Sequence, residues 1–168
     1  MNNLEKNTYV KKQITTTLLN LLNDFELSEI SISTLTEKSQ VSRNSFYRNF
    51  SGKEDVIKQH LVHLLSKWDK EWKNKNSHSN AELFGHLFSY LKENSDLILL
   101  IHKKGLFYLF RESYFSLFGN TENLDNISAY TVSFISNGVL GWIEEWINRG
   151  MQESAETMTE LLLKTKMK

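Results

Sequence analysis

Residues 31–56 read SISTLTEKSQVSRNSFYRNFSGKEDV, and this stretch decides the fold of the chain. Ser31 or Ser33 can cap a first short helix, and Ser42 can cap a second one that ends near Phe50. Two short helices joined by a tight turn are typical of a helix-turn-helix, in which the second helix enters the major groove of DNA. The stretch therefore predicts a DNA-binding unit near the N-terminus.

The second of these helices has two distinct faces. Phe46 and Phe50 are four residues apart and share one face, which predicts that both are buried. Asn44 and Arg48 lie on the opposite face. Asparagine pairs with adenine and arginine with guanine, each through two hydrogen bonds worth ~1–3 kcal/mol of discrimination between bases. The alternative is a face that merely contacts solvent, but the capped helix in front of it favours DNA reading.

Further polar residues surround this face. Ser45 and Tyr47 flank it, and Arg43 in the first turn can point out of the helix end. We expect Tyr47 and Lys53 to contact phosphates, which position a protein on DNA without specifying its sequence.

Residues 30–57 resemble the DNA-binding domain of the TetR-type (TetR/AcrR) transcriptional regulators. The segment VSRNSFYRNF, residues 41–50, is similar to the recognition helix of that family, and SGKE, residues 51–54, is similar to its continuation. The resemblance implies three groups of DNA contacts. These are Arg43, Asn44, Ser45, Arg48 and Asn49 in the major groove, Tyr47 and Lys53 on phosphates, and Ser33 on the preceding helix.

Two residues of the motif depart from the family pattern. Gln40 stands where the family usually has the glycine of the turn, and a left-handed backbone there would cost about 1 kcal/mol. Thr36 stands at a buried position that is usually alanine. Its hydroxyl would have to bond to the preceding helical turn.

The rest of the chain is also predicted to be helical. Proline is absent, glycine occurs only seven times, and apolar residues recur at three- and four-residue spacing. The pattern predicts an all-α protein of about nine helices, including a first helix over residues 8–25 and a long helix over 124–149. The polar run KNKNSHSN, residues 73–80, reads as a linker.

The predicted architecture has two parts. Residues 1–53 form a three-helix helix-turn-helix domain, which a long fourth helix joins to a helical ligand-sensing and dimerisation domain, residues 54–168. A single recognition helix reads few bases, so such proteins bind palindromic sites as twofold dimers. We expect the dimer to form through the helix over residues 124–149 and the last helix, and the resemblance implies a four-helix bundle. The alternative is that the same apolar stripe packs inside its own subunit. The predicted interface residues are Ile135, Gly138, Val139, Trp142 and Trp146.

The middle of the chain is unusually aromatic. Members of the resembled family often place an effector cavity among their central helices, and we expect such a cavity to be apolar with a few orienting polar groups. The alternative is an ordinary packed core. The candidate pocket residues are Phe84, Phe88, Leu91, His102, Phe107, Tyr108, Phe115, Tyr130 and Asn137.

The sequence contains no motif of a metal-binding protein or of an enzyme. His60 and His63 could share a helix face, but no third ligand joins them at metal-binding spacing, and there is no phosphate loop or nucleophile elbow. We therefore expect no metal, no cofactor and no enzymatic activity. No apolar run is long enough to span a bilayer, no signal peptide is visible, and the chain has no cysteine, which favours the cytoplasm.

Taken together, these patterns predict a homodimeric DNA-binding transcriptional regulator. We expect a repressor that a small apolar or aromatic effector releases from a palindromic operator. The chain has 20 basic and 20 acidic residues, so its binding to DNA must depend on a few well-placed contacts. The neutral charge also keeps an alternative open, a ligand-responsive co-activator or protein-interaction module with the same fold.

Overall fold

Nine α-helices make up the described part of the chain, residues 3–75 and 79–165 of a computed structural model, and this part contains no strand. The all-α prediction is confirmed. The predicted linker at 73–80 lies partly outside the described residues. The helices are α1 (Asn3–Asp24), α2 (Ile32–Lys38), α3 (Arg43–Asn49), α4 (Lys53–Lys73), α5 (Asn80–Glu93), α6 (Ser95–Lys103), α7 (Phe107–Phe118), α8 (Asn126–Asn148) and α9 (Ala155–Lys164).

Serine caps set the starts of four helices. The hydroxyl oxygens of Ser31, Ser42, Ser79 and Ser154 each accept a hydrogen bond from the backbone N–H three residues further on. A cap of this kind satisfies one of the N–H groups that a helix start leaves without a partner. The first cap is Ser31 and not Ser33.

The N-terminal unit, α1–α3, is built around a small apolar core. Phe46 is fully buried and Phe50 is 3% exposed, and their rings lie 5.8 Å apart. They pack with buried residues of α1 and with Leu35 of α2. The prediction that both phenylalanines face inward is confirmed, and their burial fixes which face of α3 points out.

The turn between α2 and α3 has a left-handed residue at the position where the family usually has glycine. Gln40 has a φ of 54°, and the next amide, that of Val41, donates to the carbonyl of Thr36 at 3.0 Å. Thr36 is 4% exposed, and its hydroxyl donates to the carbonyl of Ile32 at 2.8 Å. Both departures from the family pattern are thus accommodated locally, as expected.

The body, α4–α9, packs in pairs of helices. α4 lies along α7, and α5 lies along α9, while α8 contacts α6 and α7. The body shares its apolar core with the N-terminal unit through α4, whose buried side chains run from Val56 to Trp68. α4 therefore links the two parts as one continuous helix. No helix in the described residues is long and apolar enough to cross a membrane.

Candidate nucleic-acid interface

The outer face of α3 presents the two residues predicted to read bases. Asn44 and Arg48 are exposed, and in the described part of the chain neither side chain is engaged in a hydrogen bond. Tyr47, beside them, is 59% exposed, with the edge of its ring against Phe46. α3 carries two arginines and no acidic residue. The buried phenylalanines therefore hold a polar, positively charged face towards solvent.

Arg43 and Ser33 are brought together across the turn. The guanidinium of Arg43 donates to the hydroxyl of Ser33, which joins the start of α3 to the first turn of α2. Arginine has five N–H donors, so this bond leaves others free for DNA. The contact fixes two predicted DNA-binding residues relative to each other.

Ser45 and Asn49 are engaged within α3 itself. The amide of Ser45 donates to the hydroxyl of the capping residue Ser42, and the side-chain amide of Asn49 donates to the carbonyl of Ser45 at 2.8 Å. Both residues are half-buried. They lie at the flank of the reading face, and their contacts with bases stay predictions.

Lys53 has a structural contact that the sequence did not predict. Its ammonium group donates to the carbonyl oxygens of Leu27 and Ile30 at 2.5 and 2.6 Å, and so ties the start of α4 to the segment between α1 and α2. An ammonium group has three donors, so one remains for a phosphate. No sequence pattern could have revealed these acceptors, because they are backbone atoms more than 20 residues away.

The five predicted interface residues of α8 do not share one environment. Ile135 is 52% exposed, Gly138 is exposed and Trp142 is half-buried, whereas Val139 and Trp146 are buried inside the subunit. The structure corrects the prediction for these last two. The edge of the Trp146 ring packs on Phe88 with centroids 5.6 Å apart, so α5 of the same chain covers it.

Other exposed apolar residues were missed as interface candidates. On α8, Ile127 is 79% exposed and Phe134 is 60% exposed, and on α9, Leu161 and Leu163 are about half exposed. The signal was present in the sequence, because Ile127 and Phe134 are seven residues apart and recur on one helix face with Gly138. Ile127, Phe134 and Ile135 lie with Gly138 on one exposed face of α8.

The predicted pocket residues do not line one cavity. Phe88 and Leu91 are fully buried, and Tyr130 is 77% exposed on α8. The remaining phenylalanines, Phe84, Phe107 and Phe115, are partly buried and packed against the core. The imidazole Nε2 of His102 is hydrogen-bonded to Asn148 at 2.8 Å. Tyr108 and Asn137 border two different cavities, of about 800 and 490 Å³.

The larger cavity, here the junction cleft, lies between the N-terminal unit and the body. Two ion pairs border it. Glu26 with Lys104, at 2.8 Å, joins the N-terminal unit to the body, whereas Lys58 of α4 with Glu112 of α7, at 2.7 Å, lies within the body. The side chain of Lys104 is 8% exposed and that of Glu26 is 58% exposed. Burial, with a hydrogen bond to Glu54 of α4, raises the pKa of Tyr108 to about 12. The ion pair of Glu26 and Lys104 thus joins the two parts at the cleft.

The histidine pair lies on adjacent turns of α4. Burial, and to a smaller extent the neighbouring His63, lowers the pKa of His60. Within residues 3–75 and 79–165 no three histidine or acidic side chains are grouped in a way that could hold a metal ion.

A comparison with known protein families matches the other half of the molecule. Residues 78–167, more than half of the chain, match the family model described as a transcriptional regulator C-terminal region. Comparison with curated proteins gave no match. The match covers α5–α9 and is therefore independent of the helix-turn-helix at the N-terminus.

Proposed function

Because the chain belongs to the TetR family of transcriptional regulators, we propose that it binds a palindromic DNA operator as a homodimer. In this proposal it represses transcription until a small effector releases it. The single observation that carries the DNA-binding part is the outer face of α3, which holds Asn44 and Arg48 exposed above two buried phenylalanines.

The geometry around α3 supports base reading by this face. A recognition helix must hold its side chains at fixed angles, and α3 is fixed at its start by the Ser42 cap and the bond between Arg43 and Ser33. Arg48 lies on the next turn, where its fork of donors matches the O6 and N7 atoms of guanine. Asn44 is one turn earlier and suits adenine. We expect the exposed Tyr47 beside them to contact a phosphate.

An Arg48→Ala variant tests base reading. We expect it to lose about 1–3 kcal/mol of discrimination at one position of the operator half-site, because the paired hydrogen bonds to one base are lost. The measurement is fluorescence anisotropy with DNA of the promoter region and with operators changed one base pair at a time. Lys67→Ala is the control, since Lys67 is an exposed cation on α4 that pairs only weakly with Glu71, at 3.8 Å. Equal weakening on all sequences would instead assign Arg48 to a phosphate.

The homodimer is supported by the exposed apolar face of α8 and α9. Soluble monomers rarely leave large contiguous apolar patches in water, and Ile127, Phe134, Ile135 and Leu161 are all between 45% and 79% exposed. Sedimentation equilibrium of the purified chain tests this point. A dimer at micromolar concentration is the expected result. A stable monomer would favour the alternative of an interaction module that binds another protein through this face.

Release by an effector is supported by the junction cleft. Its volume of about 800 Å³ lies within the range of small-molecule sites, and residues of both the N-terminal unit and the body line it. Seven of the lining residues are charged, so the cleft suits a polar effector and not the apolar one that the sequence predicts. A molecule bound there would compete with the ion pairs of Glu26 and Lys58. It would thereby change how the recognition helices of a dimer are held relative to each other. Ligand screening by thermal shift, followed by measurement of DNA release, tests this part.

A further inference from the structure

We propose that the two α8 helices of the homodimer run antiparallel and cross at Gly138, so that Phe134 of each subunit enters a groove of the other. This inference rests on the proposed homodimer and adds the register, that is, which residues of the two α8 helices lie opposite each other. The groove, here the α8–α9 groove, has a volume of about 490 Å³. Glycine and apolar residues make up one part of its lining, and the others are Asn137, Glu145, Arg149 and Glu153. The first group consists of Gly138, Gly141, Trp142, Trp146, Met158 and Leu161.

Gly138 lies at the centre of the exposed face of α8. The helix runs from Asn126 to Asn148, so Gly138 is also close to its middle. At 3.6 residues per turn, the buried residues Leu140 and Ile147 fall on the opposite side of the helix. A Cβ atom built on Gly138 would meet nothing within 4 Å. The backbone at this point is therefore open to close approach by a second helix.

A twofold axis at Gly138 makes the surface complementary to itself. An antiparallel crossing places each residue a given number of positions before Gly138 against the residue the same number after it in the partner. Phe134 then faces Trp142, and Ile135 faces Gly141. Phe134 and Ile135, which are 60% and 52% exposed, thus meet the α8–α9 groove and Gly141 of the partner subunit.

The α8–α9 groove suits an aromatic ring. Gly141 leaves its floor open, with nothing within 4 Å of a built Cβ, and the half-exposed Leu161 of α9 forms one wall. Filling it with the ring of the partner subunit's Phe134 would remove both apolar surfaces from water. A parallel arrangement would bring Phe134 against its own copy and leave the groove open, so the antiparallel crossing buries more apolar surface.

Single-cysteine variants of the 168-residue chain test the register, because this sequence contains no cysteine. A disulfide needs Cα atoms within about 7 Å. We expect Gly138→Cys to form a disulfide-linked dimer under mild oxidation. Thr131→Cys, seven residues before the crossing, is the control. With a rise of 1.5 Å per residue, its two copies would lie roughly 21 Å apart and should not link. Phe134→Cys mixed with Trp142→Cys should give the heterologous link.

A second measurement does not depend on a cysteine at the crossing. Phe134→Ala should raise the dimer dissociation constant by roughly tenfold or more, since a buried interface aromatic carries a large share of binding energy. Tyr9→Ala, which truncates an equally exposed aromatic on α1, should leave it unchanged. If the chain is a dimer but Thr131→Cys links and Gly138→Cys does not, the register is overturned and the homodimer stands. If sedimentation shows only monomer, the homodimer itself fails.

Discussion

Replacement of Lys53 by methionine should destabilise the protein even in the absence of DNA. The change keeps the length of the side chain and removes the ammonium group that donates to the carbonyls of Leu27 and Ile30. A hydrogen bond to a charged group contributes ~1.5–3 kcal/mol, and the half-buried position of Lys53 favours the lower end of this range. Two bonds at that end give about 3 kcal/mol, and the rotamer entropy of an ordered lysine offsets roughly 1.5–2 kcal/mol. We therefore expect a net loss of about 1–1.5 kcal/mol.

Urea unfolding followed by circular dichroism measures this loss. Lys58→Met is the matched control, because Lys58 is the next lysine of α4 and forms a solvent-exposed ion pair with Glu112, of the kind worth at most about 1 kcal/mol. If the two variants unfold at the same urea concentration, the carbonyl contacts of Lys53 do not stabilise the fold.

The variants Lys53→Met and Lys58→Met also test whether Lys53 contacts DNA in addition to stabilising the fold. If Lys53 uses its third donor on a phosphate, the slope of log affinity against log salt should fall in Lys53→Met by about 0.9 per subunit, and so by about 1.8 for the dimer. The comparison is made at a temperature where both variants are fully folded. An unchanged slope would leave Lys53 with a structural role alone.

Three other changes follow from contacts described above. Gln40→Gly should raise the free energy of unfolding by up to about 1 kcal/mol, because glycine adopts a φ of 54° without strain; a lower urea midpoint would contradict this. In a double-mutant cycle of urea unfolding, the stability losses of Glu26→Gln and Lys104→Met should differ from additivity by about 1 kcal/mol. The coupling is small because Glu26 is 58% exposed and water partly screens the pair. Additive losses would show that the ion pair contributes nothing to stability. Burial raises the pKa of Tyr114 to about 12, so the unfolded chain releases this proton at lower pH, near 10, and stability should fall between pH 10 and 12. Tyr114→Phe should lessen that fall, and an identical pH profile would contradict the reasoning.

The local features of the DNA-binding unit could be predicted from the sequence. The cap at Ser42 and the inward phenylalanines are predicted directly, whereas the sequence offers Ser31 and Ser33 alike as the other cap. All of these features depend on interactions within four or five residues along the chain. Such interactions are set by residue type and helical spacing, so the sequence contains the information that determines them. The first helix is longer than predicted, beginning at Asn3 and not near residue 8, because helix ends are held by weak local preferences.

The contacts between distant segments could not be predicted. Lys53 was expected on a phosphate, and its ammonium group binds two backbone carbonyls whose position depends on how α1 packs on α4. The aromatic residues of the middle were expected around a cavity. Phe88 instead packs against Trp146, and the largest cavity described lies at the junction with the N-terminal unit.

The sequence by itself determined an all-α chain with a helix-turn-helix whose outer face carries Asn44 and Arg48. Only the tertiary structure decided which apolar residues of α8 are covered within the subunit. Helical periodicity shows that a side chain lies on an apolar face, but it does not show what covers that face. Trp146 and Phe134 are both aromatic residues of α8, yet α5 covers the first and leaves the second exposed. The physical reason is that burial depends on the packing of segments far apart in the chain.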